Sequence, residues 1–437
     1  MQKKTTNINT FAIHTLGCKV NLFESNLMKN NLTANGLVEV PFNSFADVYI
    51  VNTCTVTNKA DSKSKFFIRQ AYRKNPDSII VVAGCLSQID KTLIEKLNIS
   101  IQIGNKYKGN IYDMIEKFSI NKKKVLNVEN LLISNKYESE ENFVFADKTR
   151  AFLKIQDGCN YMCSYCIIPF SRGAQKSKKI DEILNQIIEL LSLEYKEIVL
   201  TGVNTAGYLD EDGNTFFDLL FAINKLAGNF RIRISSLEPF QITNELIELI
   251  TSNKNRFCQH WHICMQSGSD QVLLDMNRKY STDDFLSLIN NIKNKSKNST
   301  FTTDYIVGYP TETDETFNES ILFLNKINFL DMHIFPFSKR KGTKASYIEA
   351  VSKRNIKEDL LQVESLRKIM NEQNLMNYID KDVIVLFEQK DEGAPFYKGY
   401  SSEYLKVYVK SNENITNTFQ KVKIGKIFLD GLYGTIK

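Results

Sequence analysis

Three cysteines, Cys159, Cys163 and Cys166, stand at a C-x3-C-x2-C spacing in the run Cys159-Asn-Tyr-Met-Cys163-Ser-Tyr-Cys166. Thiolates at that spacing can ligate three irons of a [4Fe-4S] cluster and leave the fourth iron open to a substrate or cofactor. Offsets of four and seven would also bring three thiols to one side of a helix. Gly158 before the run and Pro169 after it argue for a loop instead. Three further cysteines share a different pattern: each follows a strand-like run, in Gly17-Cys18, Thr53-Cys54 and Gly84-Cys85. Strand ends of an open α/β sheet meet at one edge, where ligands bind. A second iron–sulfur site with three cysteine ligands follows from that placement. Cys258 and Cys264 are left over and read as buried core thiols.

The elements that must position these residues are α/β throughout the first two parts of the chain. Strand-like runs at 11–16, 48–51 and 78–83 alternate with helical patterns near 22–32, 63–73 and 91–97. That order predicts a parallel sheet with helices on both faces over residues 8–118. A Lys-, Asn- and Glu-rich stretch, 119–147, reads as a connector. Alternation resumes over 148–375, with strand candidates at 151–156, 197–203, 230–236, 260–266, 301–307 and 332–337. Helical patterns at 181–192, 244–251 and 283–294 separate some of them. Six β-α repeats predict a (β/α)6-type partial barrel with its chemistry at the strand carboxyl ends. The first cysteine triplet follows the first of these strands, as that rule expects. His260 and His262 alternate with Trp261 and read as packing or hydrogen-bonding groups. An amphipathic helix spans about 356–376. Short strands at 383–387, 405–409, 421–424 and 431–437 then predict a small antiparallel β-barrel over 376–437.

The 437 residues suffice for two or three domains, and 43 % hydrophobic with 24 % charged residues is ordinary for a globular chain. No apolar run approaches the roughly 20 residues of a membrane span. Met1-Gln-Lys-Lys leads to a strand-like run without a signal-peptide core, so a cytoplasmic location is expected. There, a count of eight cysteines points to ligands more than to disulfides. The net charge of +6 permits a nucleic-acid partner without requiring one.

The segment Lys154-Ile-Gln-Asp-Gly-Cys-Asn-Tyr-Met-Cys-Ser-Tyr-Cys-Ile-Ile-Pro-Phe-Ser-Arg-Gly173 resembles the radical S-adenosylmethionine enzymes of the methylthiotransferase family. Thr15-Leu-Gly-Cys-Lys-Val-Asn21, Asn52-Thr-Cys-Thr-Val-Thr57 and Gly84-Cys85 match that family's amino-terminal domain. The resemblance implies two [4Fe-4S] clusters, one held by Cys159, Cys163 and Cys166 and an auxiliary one held by Cys18, Cys54 and Cys85. It implies S-adenosylmethionine used twice, once to methylate the inserted sulfur and once to make the radical that abstracts hydrogen. Cofactor contacts are implied at Thr201, Gly202 and Asn204, at Ser235, Ser236 and Glu238, at Gln266, Ser267 and Asp304, and at Phe335 and Phe337. Arg172, beside the first triplet, is a candidate contact to substrate phosphate or a tuner of the cluster. Cys264 and Thr311 stand where relatives usually have Pro and Gly, which leaves local backbone shape open.

The terminal barrel resembles a TRAM domain, a small RNA-binding module. Nine Lys against eight Asp and Glu over 376–437 give it little net charge, so its aromatics, among them Phe396, Tyr397, Tyr400, Tyr404 and Tyr408, are the candidates for base stacking. The motifs after Cys18 and Cys54 look like the branch that acts on N6-threonylcarbamoyladenosine at tRNA position 37. The implied partners are the anticodon loop of ANN-decoding tRNA, a reduced flavodoxin or ferredoxin-type electron donor, and a sulfur donor. The same chemistry on isopentenyladenosine or on a ribosomal-protein aspartate is the alternative. An RNA-binding iron–sulfur protein that transfers electrons or senses redox state is a rival of another class. It is opposed by the open iron, because electron-transfer clusters usually have four protein ligands. A structural zinc module needs a fourth ligand that neither cysteine set obviously supplies.

Overall fold

The computed structural model describes residues 8–131, 137, 149–252, 256–351, 354–388, 390 and 393–437. The chain divides into two compact units. One comprises Met1–Phe145, Asp157–Lys176 and Ser338–Ser346; the other comprises Ala146–Gln156, Ser177–Phe337 and Tyr347–Lys437.

In the first unit, six parallel strands form one sheet, in the order Val38–Glu39, Thr10–Thr15, Val48–Thr53, Ile79–Gly84, Ile101–Ile103 and Val125–Asn127. Period-two alternation sends Val48, Ile50, Val81 and Ala83 to one core, and Tyr49, Val51, Ile80 and Val82 to the other. Both faces are therefore covered, as an all-parallel sheet requires. Helix Lys19–Ala34 and helix Ile111–Asn121 pack on the first core, and helix Asn58–Lys74 on the second. The sheet reaches past the expected boundary at 118. Val125–Asn127, inside the expected connector, is its sixth strand. Positions 132–136 and 138–147 of that connector lie outside the described residues.

The second unit holds six parallel strands, Arg150–Lys154, Glu197–Thr201, Arg231–Ile234, His260–His262, Thr300–Val307 and Asp331–Pro336. The first three pair in chain order and so do the last three. Parallel bridges Ile232–Phe257 and Leu237–Ile263 join the two sets into a partial barrel. Intervening helices start on side-chain caps: Thr215 with Asp218, Ser281 with Asp284 and Thr313 with Thr316 form capping boxes. After helix Ile356–Met376, five strands close a small barrel: Asp382–Phe387, Tyr397–Ser401, Lys406–Val409, Phe419–Phe428 and Gly431–Ile436. Its pairings are antiparallel except Lys406–Val409 against Gly431–Ile436. Tyr397–Ser401 is the strand that the sequence patterning does not announce. Its alternation is broken by Gly399, where a Cβ would meet Leu386 O at 2.3 Å.

Candidate functional site

The first unit gathers all six candidate cysteine ligands. Cys18 is the N-cap residue of helix Lys19–Ala34, Cys54 follows strand Val48–Thr53, and Cys85 opens helix Cys85–Ile89. Two glycines make the approach possible. Gly17 has φ +101°, and a Cβ there would lie 2.9 Å from Cys54 Cβ. Gly84 has φ +95°, and its Cβ would lie 2.4 Å from Thr53 O. The three thiols are near enough that Cys18 and Cys85 each raise the pKa of Cys54; burial is the larger cause and pushes it up to about 12. Asn105 Nδ2 lies 3.5 Å from Cys85 Sγ. Such a donor set, three thiols brought to one sheet edge, fits an iron–sulfur cluster with one open iron.

Cys159, Cys163 and Cys166 lie on a loop and are each part-exposed. Cys166 N–H donates to Cys163 O at 3.0 Å, Cys159 N–H donates to Gly173 O at 3.1 Å, and Tyr161 N–H points at Cys159 Sγ at 3.4 Å. Amides aimed at sulfur favour the thiolate form that binds iron. The loop expected from Gly158 and Pro169 is present, and the single-helix arrangement is not.

Arg172 is not at a surface. Its side chain is 1 % exposed, with Nη1 donating to Glu24 Oε1 at 2.9 Å and Asp157 Oδ1 at 3.0 Å, and Nη2 donating to Asn21 Oδ1 at 2.6 Å. Lys108 joins the same buried cluster through Glu24, and its Nζ also donates to Asn105 Oδ1 at 2.9 Å. The expected contact of Arg172 to substrate phosphate is thus corrected: the guanidinium is spent inside the protein. It ties the segment after Cys18 to the segments flanking the Cys159, Cys163 and Cys166 set. Arg340 does a similar task beside Cys54, donating to Thr55 Oγ1, Asp61 Oδ2 and Asn58 Oδ1 at 2.6–2.7 Å. Sequence reading missed Glu24, Asn105, Lys108 and Arg340. Only Glu24 carried a local signal, three residues after Asn21 on the same helix.

In the second unit the expected cofactor residues fall at successive strand ends. Thr201 ends its strand and is buried; Gly202 lies close enough to Gln156 that a Cβ would meet its Oε1 at 2.8 Å. Asn204 N–H donates to Gln156 Oε1 at 2.9 Å, yet the buried side-chain amide of Asn204 has neither donor nor acceptor satisfied within the protein. A buried amide in that state fits a polar ligand group beside it. Thr205 N–H donates to Ser236 O at 3.2 Å, which joins the second and third strand ends, and Ser236 has φ +30°. Ser235 Oγ donates to Leu200 O at 2.9 Å, and Ser267 is buried against Ser320. Both hydroxyls are thereby used internally. Glu238 is paired with Arg278; burial raises its pKa, and the arginine pulls the other way. Gln266, at φ +68°, receives Ile306 N–H on its carbonyl at 3.0 Å, and its own N–H reaches Asp304 O at 2.9 Å. Phe335 is exposed, and Phe337 lies edge-on to Tyr309 at 5.5 Å between centroids.

Asp304 is the exception in that set. Its carboxylate does not stand free at a strand end. His262 Nε2 lies 3.5 Å away and His333 Nδ1 3.1 Å away. Burial works to raise its pKa, but the two imidazoles hold it below the ordinary range. Glu312 was not singled out from the sequence, though it stands four residues after Gly308. Burial pushes it up to about 7, and its Oε2 accepts Gly308 N–H at 2.7 Å.

Residues 10–104 match Uncharacterized protein family UPF0004, and residues 153–324 match the Radical SAM superfamily. A Bacillus subtilis (strain 168) protein, threonylcarbamoyladenosine tRNA methylthiotransferase MtaB, is 37% identical over 95% of this chain and 94% of its own. A tRNA-2-methylthio-N(6)-dimethylallyladenosine synthase from Petrotoga mobilis (strain DSM 10674 / SJ95) is 31% identical over 98% of each. Among solved structures, the radical S-adenosylmethionine methyltransferase TsrM from Kitasatospora setae, with cobalamin and a [4Fe-4S] cluster bound, superposes with a TM-score of 0.55. It covers 75% of each chain at 12% identity, a likeness of fold. With the two matched families in series and near-complete coverage of its relatives, this chain belongs to the radical S-adenosylmethionine methylthiotransferase family.

Proposed function

We propose that this chain is the tRNA methylthiotransferase that converts N6-threonylcarbamoyladenosine at position 37 to its 2-methylthio derivative. The observation that carries the reaction class is the pair of three-cysteine sets, all six thiols free of disulfides and gathered in one unit. The substrate branch rests on the 37% identity to a threonylcarbamoyladenosine enzyme over nearly the full length, against 31–34% for dimethylallyladenosine enzymes. S-adenosylmethionine and two [4Fe-4S] clusters supply the radical and the methylated sulfur.

The protein's part is placement. In this reading Cys18, Cys54 and Cys85 hold the auxiliary cluster, and Cys159, Cys163 and Cys166 hold the other. The Asn204 amide, the strand-end backbone at Thr201–Gly202 and at Ser235–Ser236, Glu238, and the Gln266–Ser267 turn hold the cofactor. Phe335 and Phe337 pack against its adenine. Asp304 acts there through its carbonyl, which fixes Gln266. Arg172 serves as a positioning residue. The auxiliary-cluster domain then runs from residue 8 to 127, the radical domain from 148 to 375, and the RNA-binding barrel from 376 to 437.

A reduced flavodoxin or ferredoxin supplies the electron, a separate donor supplies the sulfur, and the substrate is ANN-decoding tRNA in the cytoplasm. No helix of the described residues is long and apolar enough to cross a membrane. Nucleoside mass spectrometry tests the reading, on tRNA from a host without its own methylthiotransferases, with and without this protein. A 2-methylthio product on threonylcarbamoyladenosine is expected. A product on isopentenyladenosine would overturn the branch, and no new nucleoside from protein with intact clusters would overturn tRNA as the substrate.

A further inference from the structure

The last three barrel strands carry a polar row. His262 pairs with Thr302, Asp304 pairs with His333, and His260 pairs with Thr300. Residues two apart share a face, so His260, His262, Thr302, Asp304 and His333 lie on one side of the sheet. Trp261, Phe301 and Met332, all buried, take the other. On the polar side, one ligand atom each from His262, Asp304 and His333 lies within 4.8 Å of the others. Both imidazoles converge on the same oxygen, Asp304 Oδ1, at 3.5 and 3.1 Å. Metal–ligand bonds of roughly 2.0–2.2 Å in tetrahedral or octahedral array put neighbouring ligand atoms about 3.0–3.5 Å apart.

The surroundings orient these donors. Thr302 Oγ1 meets His262 Nδ1 at 2.9 Å and His260 Nε2 at 2.8 Å. A histidine held through one ring nitrogen presents the other in a fixed direction, the arrangement found behind metal-bound imidazoles. His260 is stacked on Tyr404 at 4.6 Å, so the supporting group is itself fixed. The site is also reachable: the His333 side chain is 66% exposed, while that of His262 is 11%. Two imidazoles and one carboxylate suit a divalent first-row transition ion, and three protein donors leave positions for water or for an oxygen of a bound molecule.

We propose that His262, Asp304 and His333 form a site for one Zn²⁺- or Fe²⁺-class ion that none of the six cysteines holds. The site takes up its ion independently of substrate, so its test does not depend on the methylthiotransferase reading. Full-length protein with both clusters reconstituted is loaded with Zn²⁺, desalted and analysed for metals. A parallel sample receives Co²⁺ for absorption spectroscopy.

One Zn²⁺ per chain above the iron content is expected. Visible Co²⁺ bands should appear without a thiolate charge-transfer band. His333→Ala, at an exposed position, should weaken Zn²⁺ binding at least tenfold with iron unchanged, and Asp304→Asn should do the same. Wild type that retains no Zn²⁺ would overturn the proposal and leave the three residues a plain ion-pair cluster. So would equal retention by His333→Ala, or a Co²⁺ spectrum dominated by thiolate.

Discussion

At Cys54, burial first and Cys85 second hold the thiol protonated, so an iron bound there in the proposed reading would have to displace a proton. Cys159 sits differently, part-exposed on a loop with an amide aimed at its sulfur. These two environments predict separable failures. Cys159→Ala should abolish release of 5′-deoxyadenosine from S-adenosylmethionine. Cys54→Ala should keep that release while losing methylthiolation of tRNA by at least two orders of magnitude. Cofactor cleavage by the first variant, or full thiolation by the second, would remove the corresponding cysteine from its assigned role. The candidate ligands were legible in the sequence because spacing and position after a strand are local. Arg172 was not: its partner Glu24 is 148 residues away, and only the folded chain shows that the guanidinium is enclosed. The same holds for His262, Asp304 and His333, which become neighbours through strand register alone.

Among the elements, the long buried strands announced themselves, whereas Val38–Glu39, Ile101–Ile103 and Val125–Asn127 are too short for a pattern to form. Another feature set by pairing is the charge at the start of strand Glu197–Thr201. Glu197 is fully buried and bonded by Arg231 Nε at 2.6 Å and Arg233 Nε at 2.8 Å. Burial alone would raise its pKa, but the two arginines bring it to about 2, below its ordinary value of 4.5. The stabilisation this gives is complete above 4.5 and is lost as pH falls from there towards about 2. Urea unfolding from about pH 6 to about pH 3 should show the wild type losing more stability than Glu197→Gln over that window. Equal losses would mean the carboxylate titrates normally. Arg233→Met should cost about 3–5 kcal/mol at neutral pH by leaving the carboxylate underpaired.

Over the molecule as a whole, the surplus of one Lys in 376–437 understated how the terminal barrel is arranged. Phe396, Tyr408, Phe428 and Tyr433 form a cluster with ring centroids 5.1–5.9 Å apart. Lys406, Lys410 and Lys426 lie over its rings. Tyr400 and Tyr404, also candidates for base stacking, instead stack on each other, and Tyr404 on His260. Composition could not separate these two groups, because the split depends on which way each strand faces. Cutting the barrel away would therefore expose buried charge whatever the barrel's part in RNA binding, so point changes are the cleaner probe. Lys410→Glu with Lys426→Glu should weaken tRNA binding and reduce the salt dependence of affinity by about two units of slope. An unchanged slope would take this face out of the RNA interface.

Arg231 and Arg233 reach the terminal barrel through main-chain oxygens, those of Tyr400, Ser401 and Ser402 at 2.8–3.2 Å. A carbonyl is the same whatever side chain it belongs to. These three contacts therefore constrain loop length rather than side-chain identity, whereas Ser401 and Ser402 are fixed by bonds of their own, their Oγ atoms accepting Leu405 N–H at 3.3 Å and Gln259 N–H at 2.9 Å. Over evolutionary time that turn can hardly gain or lose a residue.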